Sequence, residues 1–447
     1  MMMAASPFTL RTDICSWGRV IREPHYVARP TFPAALSSLT GPESDSSSLL
    51  AVGLRRSYGD TPLNAGGRLI EMTGLNRFIH FDAQNGIVRA DAGMSLSDLL
   101  RFTVPKGWFT ATSPGTRFVT LGGAVANDVH GKNHHSAGSF GCSVRALGLL
   151  RGNGERRVLE ARSDNGLFAA TLGGLGLTGV IEWVELQLSP IASAWLDVET
   201  IPYGNIDAFW DLAAESAGGF EHTVAWIDCL SRGPHAGRGI FTRANWRRDG
   251  RLDPHDDRSW KSVPLDAPGF ALNRFSVRAF NELYYRAHQR KAGKQVQHYS
   301  RHFYPLDAVR SWNRLYGARG MLQYQCVLPF ETARAAMPVL LDAIARSGEA
   351  SFLAVLKTFG EKVSPGLLSF PRPGATLALD FPFRGAGTLA TLLRLDEIVR
   401  EAGGALYPAK DGRMSAGMFR QSFPRLDQFL PHKDPVMTSS FWQRVSQ

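Results

Sequence analysis

Two polar stretches marked by glycine carry residues able to hold a large phosphorylated ligand. The segment Gly53-Leu54-Arg55-Arg56-Ser57-Tyr58-Gly59-Asp60 leaves an apolar strand and turns at once into arginine, serine and glycine. Successive backbone N–H groups beside Ser57 and two arginines make a nest for a pyrophosphate, with a solvent-facing turn as the alternative. The second stretch, Pro114–Asn133, sets Gly122, Gly123, Ala124 and Ala126 at the start of a short helix and follows them with Asn127, Asp128, His130, Lys132 and Asn133, then His134 and His135. So bare a helix start lets backbone approach a planar or phosphate-bearing ligand, and a purely structural glycine cluster would not be followed by such concentrated polarity.

Two further motifs carry less. Gly174–Gly179 matches G-x-G-x-x-G, but the order read here is helix Leu167–Leu172, glycines, then strand Val180–Leu188. A nicotinamide-dinucleotide site needs the reverse, strand before and helix after, so none is expected. His130 and His134 have H-x-x-x-H spacing, yet no glutamate base accompanies them, Gly131 and Asn133 disfavour a helix, and no third ligand is in reach. No metal site is expected. Cys15, Cys142, Cys229 and Cys326 are too scattered for a disulfide framework and suit a reducing compartment.

The elements that must position these residues are legible in outline. A chain of 447 residues predicts two to three domains, and 44% hydrophobic with 20% charged residues is the balance of a globular protein. No apolar run nears the roughly 20 residues that cross a bilayer, and Met1–Leu10 lacks the pattern of a secretory signal, so a cytoplasmic place, or one peripheral to the inner membrane, is expected. The net charge of +10 favours anionic partners such as phosphorylated substrates or acidic headgroups; without a lysine-rich tail, nucleic acid is not among the expected ones. The polar run Gly41–Ser48 predicts a loop. Strands are expected at Leu49–Gly53, Arg68–Met72, Phe78–Asp82 and Gly86–Ala92, followed by a helix opened by Ser95 and carrying Leu96, Leu99, Leu100 and Val104 on one side. A hairpin, Val144–Leu150 with Arg156–Leu159, turns at Gly152-Asn153-Gly154. A boundary falls near Pro190, and strands then alternate with helices to about Gly404. One of those helices is Leu389–Arg400, with Leu389, Leu392, Leu393 and Val399 on its face. Trp246–Lys261, rich in arginine and aspartate, predicts a mobile surface loop.

The stretches R-S-Y-G-D at 56–60, P-G-T-R at 114–117, T-L-G-G-A-V-A-N-D-V-H-G-K-N-H-H-S-A-G-S-F-G at 120–141 and G-L-T-G-V-I at 176–181 resemble the vanillyl-alcohol-oxidase, or PCMH-type, FAD-binding oxidoreductases. With L-Q-Y-Q at 322–325, F-L-A-V-L-K at 352–357, L-S-F-P at 368–371 and Y-P-A-K-D-G-R at 407–413, the chain is similar over nearly its whole length to the decaprenylphosphoryl-β-D-ribose 2-oxidase subgroup. The resemblance implies an α+β fold. An FAD-binding domain would be built from residues 1–193 and completed by 405–447, with an α+β substrate-binding domain on an antiparallel sheet, 194–404, inserted between. It further implies that FAD is held by the 53–60 loop, Gly115, Thr120, Leu121, Gly122, Gly123, Asn127, Asp128, Val129, His130, Ile181 and Tyr407. Many relatives attach FAD through a histidine where this chain has Arg56, and no cysteine stands near Gly115, so FAD is expected to bind non-covalently.

The same resemblance implies the chemistry. A flavin takes the hydride from an alcohol while the protein positions the substrate and manages charge. The expected catalytic residues are Lys410, His130 and Tyr58. Gln323 and Gln325, alternate on one strand and so facing one way, would line a substrate wall. Lys357 would meet a phosphate, with Tyr316 and Trp226 as aromatic walls. A surface lysine, a backbone-satisfied loop histidine and core aromatics are the ordinary alternatives. The implied reaction is oxidation of the 2-hydroxyl of a polyprenylphosphoryl-β-D-ribose to the keto sugar, with a separate NAD(P)H-dependent reductase completing conversion to the arabinose form, and with peripheral membrane contact through the Trp246–Lys261 loop. An alditol or sugar-lactone oxidase with a soluble substrate, or a non-catalytic flavin-binding partner protein, are the alternatives. A pocket cysteine of mycobacterial members falls at Ala378 and a nearby asparagine at Thr376, which leaves the sugar and lipid open.

Overall fold

Short runs of alternating or continuous apolar residues, punctuated by glycine, fold into three main sheets that follow one another along the chain, with a two-stranded pair beside the third. The computed structural model describes residues 6–40, 48–162, 166–257 and 261–447; most of the polar run from 41 to 48 therefore lies outside the described residues. β1 (Thr9–Arg11), β2 (His25–Ala28), β3 (Leu49–Val52) and β4 (Arg68–Glu71) form a sheet in the order β1-β2-β4-β3, parallel except where β1 meets β2. The continuous apolar run of β3 suits a parallel strand buried on both faces. β5 (Phe78–Asp82), β6 (Ile87–Asp91), β7 (Trp108–Thr110), β8 (Val144–Leu150), β9 (Arg156–Glu160) and β10 (Val180–Pro190) form an antiparallel sheet ordered β5-β6-β10-β8-β9, with β7 on β10. On β10, Val184, Leu186 and Leu188 point into the core while Glu185 and Gln187 between them do not.

The third group runs β11 (Trp195–Tyr203), β12 (His222–Ile227), β13 (Gly239–Trp246), β14 (Lys261–Ser262), β15 (Gly293–His298), β16 (Val309–Arg310), β17 (Met321–Leu328), β18 (Ala354–Phe359), β19 (Gly374–Pro382) and β20 (Ala405–Leu406). β14 and β16 pair in parallel with each other, and the remaining strands make an eight-stranded antiparallel sheet ordered β15-β11-β13-β12-β18-β19-β17-β20. One face is apolar: Leu322, Tyr324 and Cys326 of β17 and Leu377, Leu379 and Phe381 of β19 share a core with the helices Phe330–Ser347 and Ala386–Glu401. By the period of two, the other face carries Gln323, Gln325, Val355, Lys357, Thr376, Ala378 and Asp380. That face is where the chemistry is assembled.

After β20 the chain turns back to the first sheet. The N–H of Leu49 donates to Val436 O at 3.0 Å, Thr438 N–H to Leu49 O at 2.9 Å and Ser440 N–H to Leu63 O at 2.7 Å. The ends of the chain are thus tied together through backbone.

Several local readings hold and two do not. Ser95 caps the helix Leu96–Thr103 by accepting from Asp98 N–H, and its leucines 96, 99 and 100 are buried. The later helix starts earlier than its leucines suggested, at Ala386, because Gly385 takes the positive φ of 84° that turns the chain into it. Its buried line is Thr388, Leu392, Leu395 and Val399, leaving Leu393 exposed. The larger correction concerns Trp246–Lys261, whose residues 258–260 lie outside the described residues. Its described part is tied down by buried and paired side chains. His255 is buried with Nδ1 against the Tyr299 hydroxyl and Nε2 2.8 Å from Ser97 Oγ, Arg247 and Arg251 close on Asp249, and Asp257 pairs with Arg101 and, at 3.0 Å, with Arg117. Alternating charges that look solvated in the sequence neutralise one another in space.

Arg117 is the hinge of that anchor. It is buried, and besides Asp257 it faces the buried Asp307, whose carboxylate also accepts from Arg117 N–H at 2.9 Å and Thr116 Oγ1 at 2.6 Å. Burial pushes the Asp307 carboxyl up, and Thr116 and Arg117 pull it back. Arg117→Met strands that charge, and a loss of about 3–5 kcal/mol in urea unfolding is expected, with part recovered in the Arg117→Met/Asp307→Asn double variant.

Candidate active site

The two glycine-marked stretches meet at a cavity of about 760 Å³. Its walls come from 51–58, 114–130, 175–181, the polar face of β17–β19 and the returning segment 407–410. Glycine is required at Gly53, where a β-carbon would overlap the Thr120 hydroxyl. Thr120 in turn caps the helix Leu121–Ala126 by accepting from Gly123 N–H at 3.2 Å. Gly115 is the opposite case: a β-carbon there meets nothing within 4 Å, and the residue faces the cavity. Arg56 lies over Trp17 at 4.2 Å and donates from Nε to Phe118 O, so the first loop is clamped to the second.

Lys410, Asp380 and Tyr58 form the reactive corner. Lys410 Nζ stands 4.1 Å from the centre of the Tyr58 ring. Burial pulls the Lys410 ammonium below its ordinary value, and the Asp380 carboxylate opposes that shift. Burial raises Asp380, countered by a hydrogen bond from Gln323 Nε2 and by the charge of Lys410; the Tyr316 hydroxyl donates to its other oxygen at 3.5 Å. Burial raises the Tyr58 phenol, which therefore stays protonated. Lys357 Nζ donates to Gly131 O at 2.8 Å, and its pKa falls to about 7 through burial and then the repulsion of Lys132 and Lys410. Lys132 falls to about 8 by burial. His130 is held neutral, its pKa depressed by burial and then by Lys357, His134 and Lys410, with Nε2 2.9 Å from Gln325 Nε2. Gln325 also donates to Thr376 Oγ1 at 3.1 Å.

Most of the expected residues lie on this cavity: the loop from Gly53 to Tyr58, Gly115, Thr120, Gly122, Gly123, Asn127, Val129, His130, Ile181, Tyr407, Gln323, Gln325, Lys357 and Lys410. Six do not. Gly59 packs on the Asp411 backbone, and Asp60 pairs with Arg444 at 2.7 Å. Leu121 is wholly buried in the core, and Asp128 accepts from Gly141 N–H at 2.7 Å and Ser369 Oγ at 2.5 Å, so both support the loop from behind. Tyr316 and Trp226 stand one layer back, joined through Phe352: the first stacks on its ring and the second donates to its carbonyl at 3.0 Å. Sequence reading passed over Asp380 and the cavity segment Leu306–Trp312. A lone carboxylate in the apolar strand A-T-L-A-L-D-F was a usable signal for Asp380; nothing local marked the other. Around the H-x-x-x-H pair no group of three or more candidate metal ligands gathers among the described residues, and His134 Nδ1 accepts from Gly360 N–H.

The walls fit a flavin dinucleotide. They are lined by backbone where the loops meet. They also carry four buried polar atoms with no hydrogen-bond partner among the described residues: Thr61 Oγ1, Asn127 Oδ1, His130 Nδ1 and Gln323 Oε1. An α+β chain with such a cavity and a lysine of depressed pKa has the make-up of a flavin-dependent oxidoreductase. Comparison with known proteins agrees: residues 24–160 match the family described as FAD binding domain. The chain is 37% identical over 453 residues to decaprenylphosphoryl-beta-D-ribose oxidase of Mycolicibacterium smegmatis, covering 96% of this chain and 95% of that one. It is 32% identical to an uncharacterised protein of Streptomyces coelicolor, covering 78% and 97%, and 27% identical to D-arabinono-1,4-lactone oxidase of Saccharomyces cerevisiae, covering 40% and 32%. The chain belongs to the decaprenylphosphoryl-β-D-ribose oxidase family of FAD-dependent oxidoreductases.

Gly115→Leu places a side chain in the cavity without touching the core. Flavin content of the purified protein, read at 450 nm against 280 nm, is expected to fall at least about tenfold, with the apoprotein thermal midpoint unchanged.

Proposed function

We propose that the protein oxidises the 2-hydroxyl of a polyprenylphosphoryl-β-D-ribose to the 2-keto sugar, using FAD bound non-covalently. The observation that carries the reading is the meeting of Lys410, Gln323 and a second lysine, Lys357, in the cavity whose other walls are the FAD-binding loops, with Asp380 bonded behind Gln323. FAD, when bound, accepts the hydride from the carbinol carbon. In this reading residues 1–193 and 405–447 hold the cofactor and 194–404 present the sugar, a division supported by the end of β10 at Pro190 and by the bonds from the carboxyl-terminal segment to Leu49 and Leu63, although Ala405–Leu406 still pair with β17 in the sheet of the middle segment. Non-covalent binding is supported by the lining, where among the described residues the one histidine is His130, committed to Gln325, and Arg56 is committed to Trp17 and Phe118.

The chain's own residues supply the proton chemistry. Burial lowers the Lys410 ammonium enough for its deprotonated fraction to take the proton of the substrate hydroxyl onto Nζ. Asp380 then stabilises the ammonium, and Tyr58 supports it through its ring face. Neutral His130, Gln325 and Gln323 orient the sugar hydroxyls, and Lys357 holds the phosphate. The keto product requires a separate reductase that uses NAD(P)H. The lipid tail calls for peripheral contact with a membrane; no helix among the described residues is long and apolar enough to cross one. Ala378 puts no thiol on the wall, so thiol-directed inhibitors are expected to act only on Ala378→Cys.

Anaerobic addition of a polyprenylphosphoryl-ribose analogue is expected to bleach the 450 nm band. Bleaching by free sugars or lactones instead, with none by the lipid-linked sugar, overturns the reading. Lys410→Met is expected to retain flavin and lose about 10²–10⁴ in kcat, and Lys410→Arg, which keeps the charge without giving up the proton, to lose as much. Lys357 is cationic below about 7 and neutral above it, so affinity for the phosphate-bearing substrate is expected below that pH and lost as pH rises through it. The corresponding limb of the kcat/KM profile should vanish in Lys357→Met, together with about a 10- to 100-fold rise in KM.

A further inference from the structure

Exposed apolar side chains gather in one stretch beside the cavity. Leu265, Phe270, Phe275 and Leu283 are 78%, 80%, 81% and 69% exposed. The helix Arg274–Gln289 is fixed by Asn273, which accepts from Phe275 N–H at 2.8 Å and Ser276 N–H at 3.0 Å. It buries a narrow stripe: Val277, Asn281 bonded to Asp228, and Tyr285 bonded to Tyr203 O. At 100° per residue, Phe275, Ala279, Leu283 and Ala287 fall on the far side, and all four are exposed. Arg278, Arg286 and Arg290 edge that side and Lys291 and Lys294 follow the helix, against its single carboxylate, Glu282, which pairs with Arg286 at 2.6 Å. A helix of a globular protein turns its apolar stripe inward. This one turns a second stripe outward with a cationic rim, the composition of a helix that lies in a lipid interface.

The patch is continuous with the cavity. Leu272 packs with Tyr58, Trp312 and Tyr316. Phe280 meets Phe352 at 5.5 Å, Phe352 stacks on Tyr316 at 5.5 Å, and Tyr284 stands 4.7 Å from Trp226, whose strand neighbour Val355 lines the cavity. An aromatic layer runs from the reactive corner to the exposed helix. The anchored stretch Trp246–Asp257, expected from sequence to meet the membrane, has most of its charges already paired.

We propose that the stretch Leu265–Lys294 docks the protein on an anionic bilayer, with Phe270, Phe275 and Leu283 entering the acyl boundary and the flanking cations contacting headgroups, and that a lipid tail reaches the cavity along the Phe280–Phe352–Tyr316 layer. The route for the tail rests on the lipid-linked substrate proposed above; the docking does not.

The test is sedimentation of the full-length, flavin-loaded protein with vesicles of phosphatidylcholine containing phosphatidylglycerol, against pure phosphatidylcholine, without substrate. Binding to the anionic vesicles, weakened by salt, is expected. Phe275→Ser/Leu283→Ser should lower the partition on the order of tenfold or more, and Arg286→Ser/Arg290→Ser should remove most of its salt dependence. Both variants should keep the wild-type thermal midpoint and turnover of a short-chain, water-soluble substrate analogue. Equal vesicle binding by wild type and variants overturns the proposal. So does a dimer in sedimentation equilibrium that Phe275→Ser/Leu283→Ser dissociates while vesicles bind neither form. Because vesicle partition is read without substrate, a failure of the flavin-bleaching experiment leaves this result standing, and the reverse.

Discussion

The contact on which the rest of the site depends is backbone against backbone, where the first loop meets the returning end of the chain. Tyr58 N–H donates to Ala409 O at 2.9 Å, and the bare α-carbon of Gly59 lies on the Asp411 carbonyl, where any β-carbon would overlap it. Asp60 and Asp411 both hold Arg444, at 2.7 and 3.1 Å. This clamp puts the Tyr58 ring beneath Lys410 and sets Tyr407 where its hydroxyl donates to Asn127 O at 3.0 Å. Residues nearly the full chain length apart thereby share one wall, which is a costly loop closure offset only by a tight, buried joint.

Within that frame, charge is arranged sparingly. Lys132, Lys357 and Lys410 are all lowered first by burial, and two of them repel a third. Asp380 is the carboxylate that acts on Lys410, and it is itself committed to Gln323 and Tyr316. A buried carboxylate and ammonium in such a site hold their protonation poised, since each loses most of its hydration and keeps only the other and a few hydrogen bonds. The polar face of β17–β19 achieves this with the plainest device available, the alternation of a strand whose other face is core.

Where sequence reading succeeded, the signals were local and strong. Ser95 before Leu96, the Gly152–Gly154 turn and the run T-L-G-G-A-V-A-N each declare their conformation within a few residues, and the whole-length motif match named the cofactor. It missed where position depends on partners far along the chain. Asp128 looks like a ligand-facing acid beside His130, yet Ser369 and Gly141 hold it behind the loop. Tyr316 and Trp226 look like walls, yet both pack on Phe352, one layer back from the cavity. The stretch Trp246–Asp257 looks solvated because its partners, Ser97, Arg101 and Arg117, are more than a hundred residues away.

By itself the sequence determined the chain's class, its glycine-walled loops, the strand alternation that puts Gln323, Gln325 and Lys357 on one face, and the lysine at 410. Each follows from hydrogen-bond geometry and side-chain volume over a few residues. Only the tertiary structure decided that Asp380 belongs with Lys410, that Gly59 and Asp60 join the first loop to the returning end of the chain, and that the helix Arg274–Gln289 presents phenylalanine and leucine outward. Those outcomes depend on desolvation and on distance in space, which arise only when separate elements bury one another.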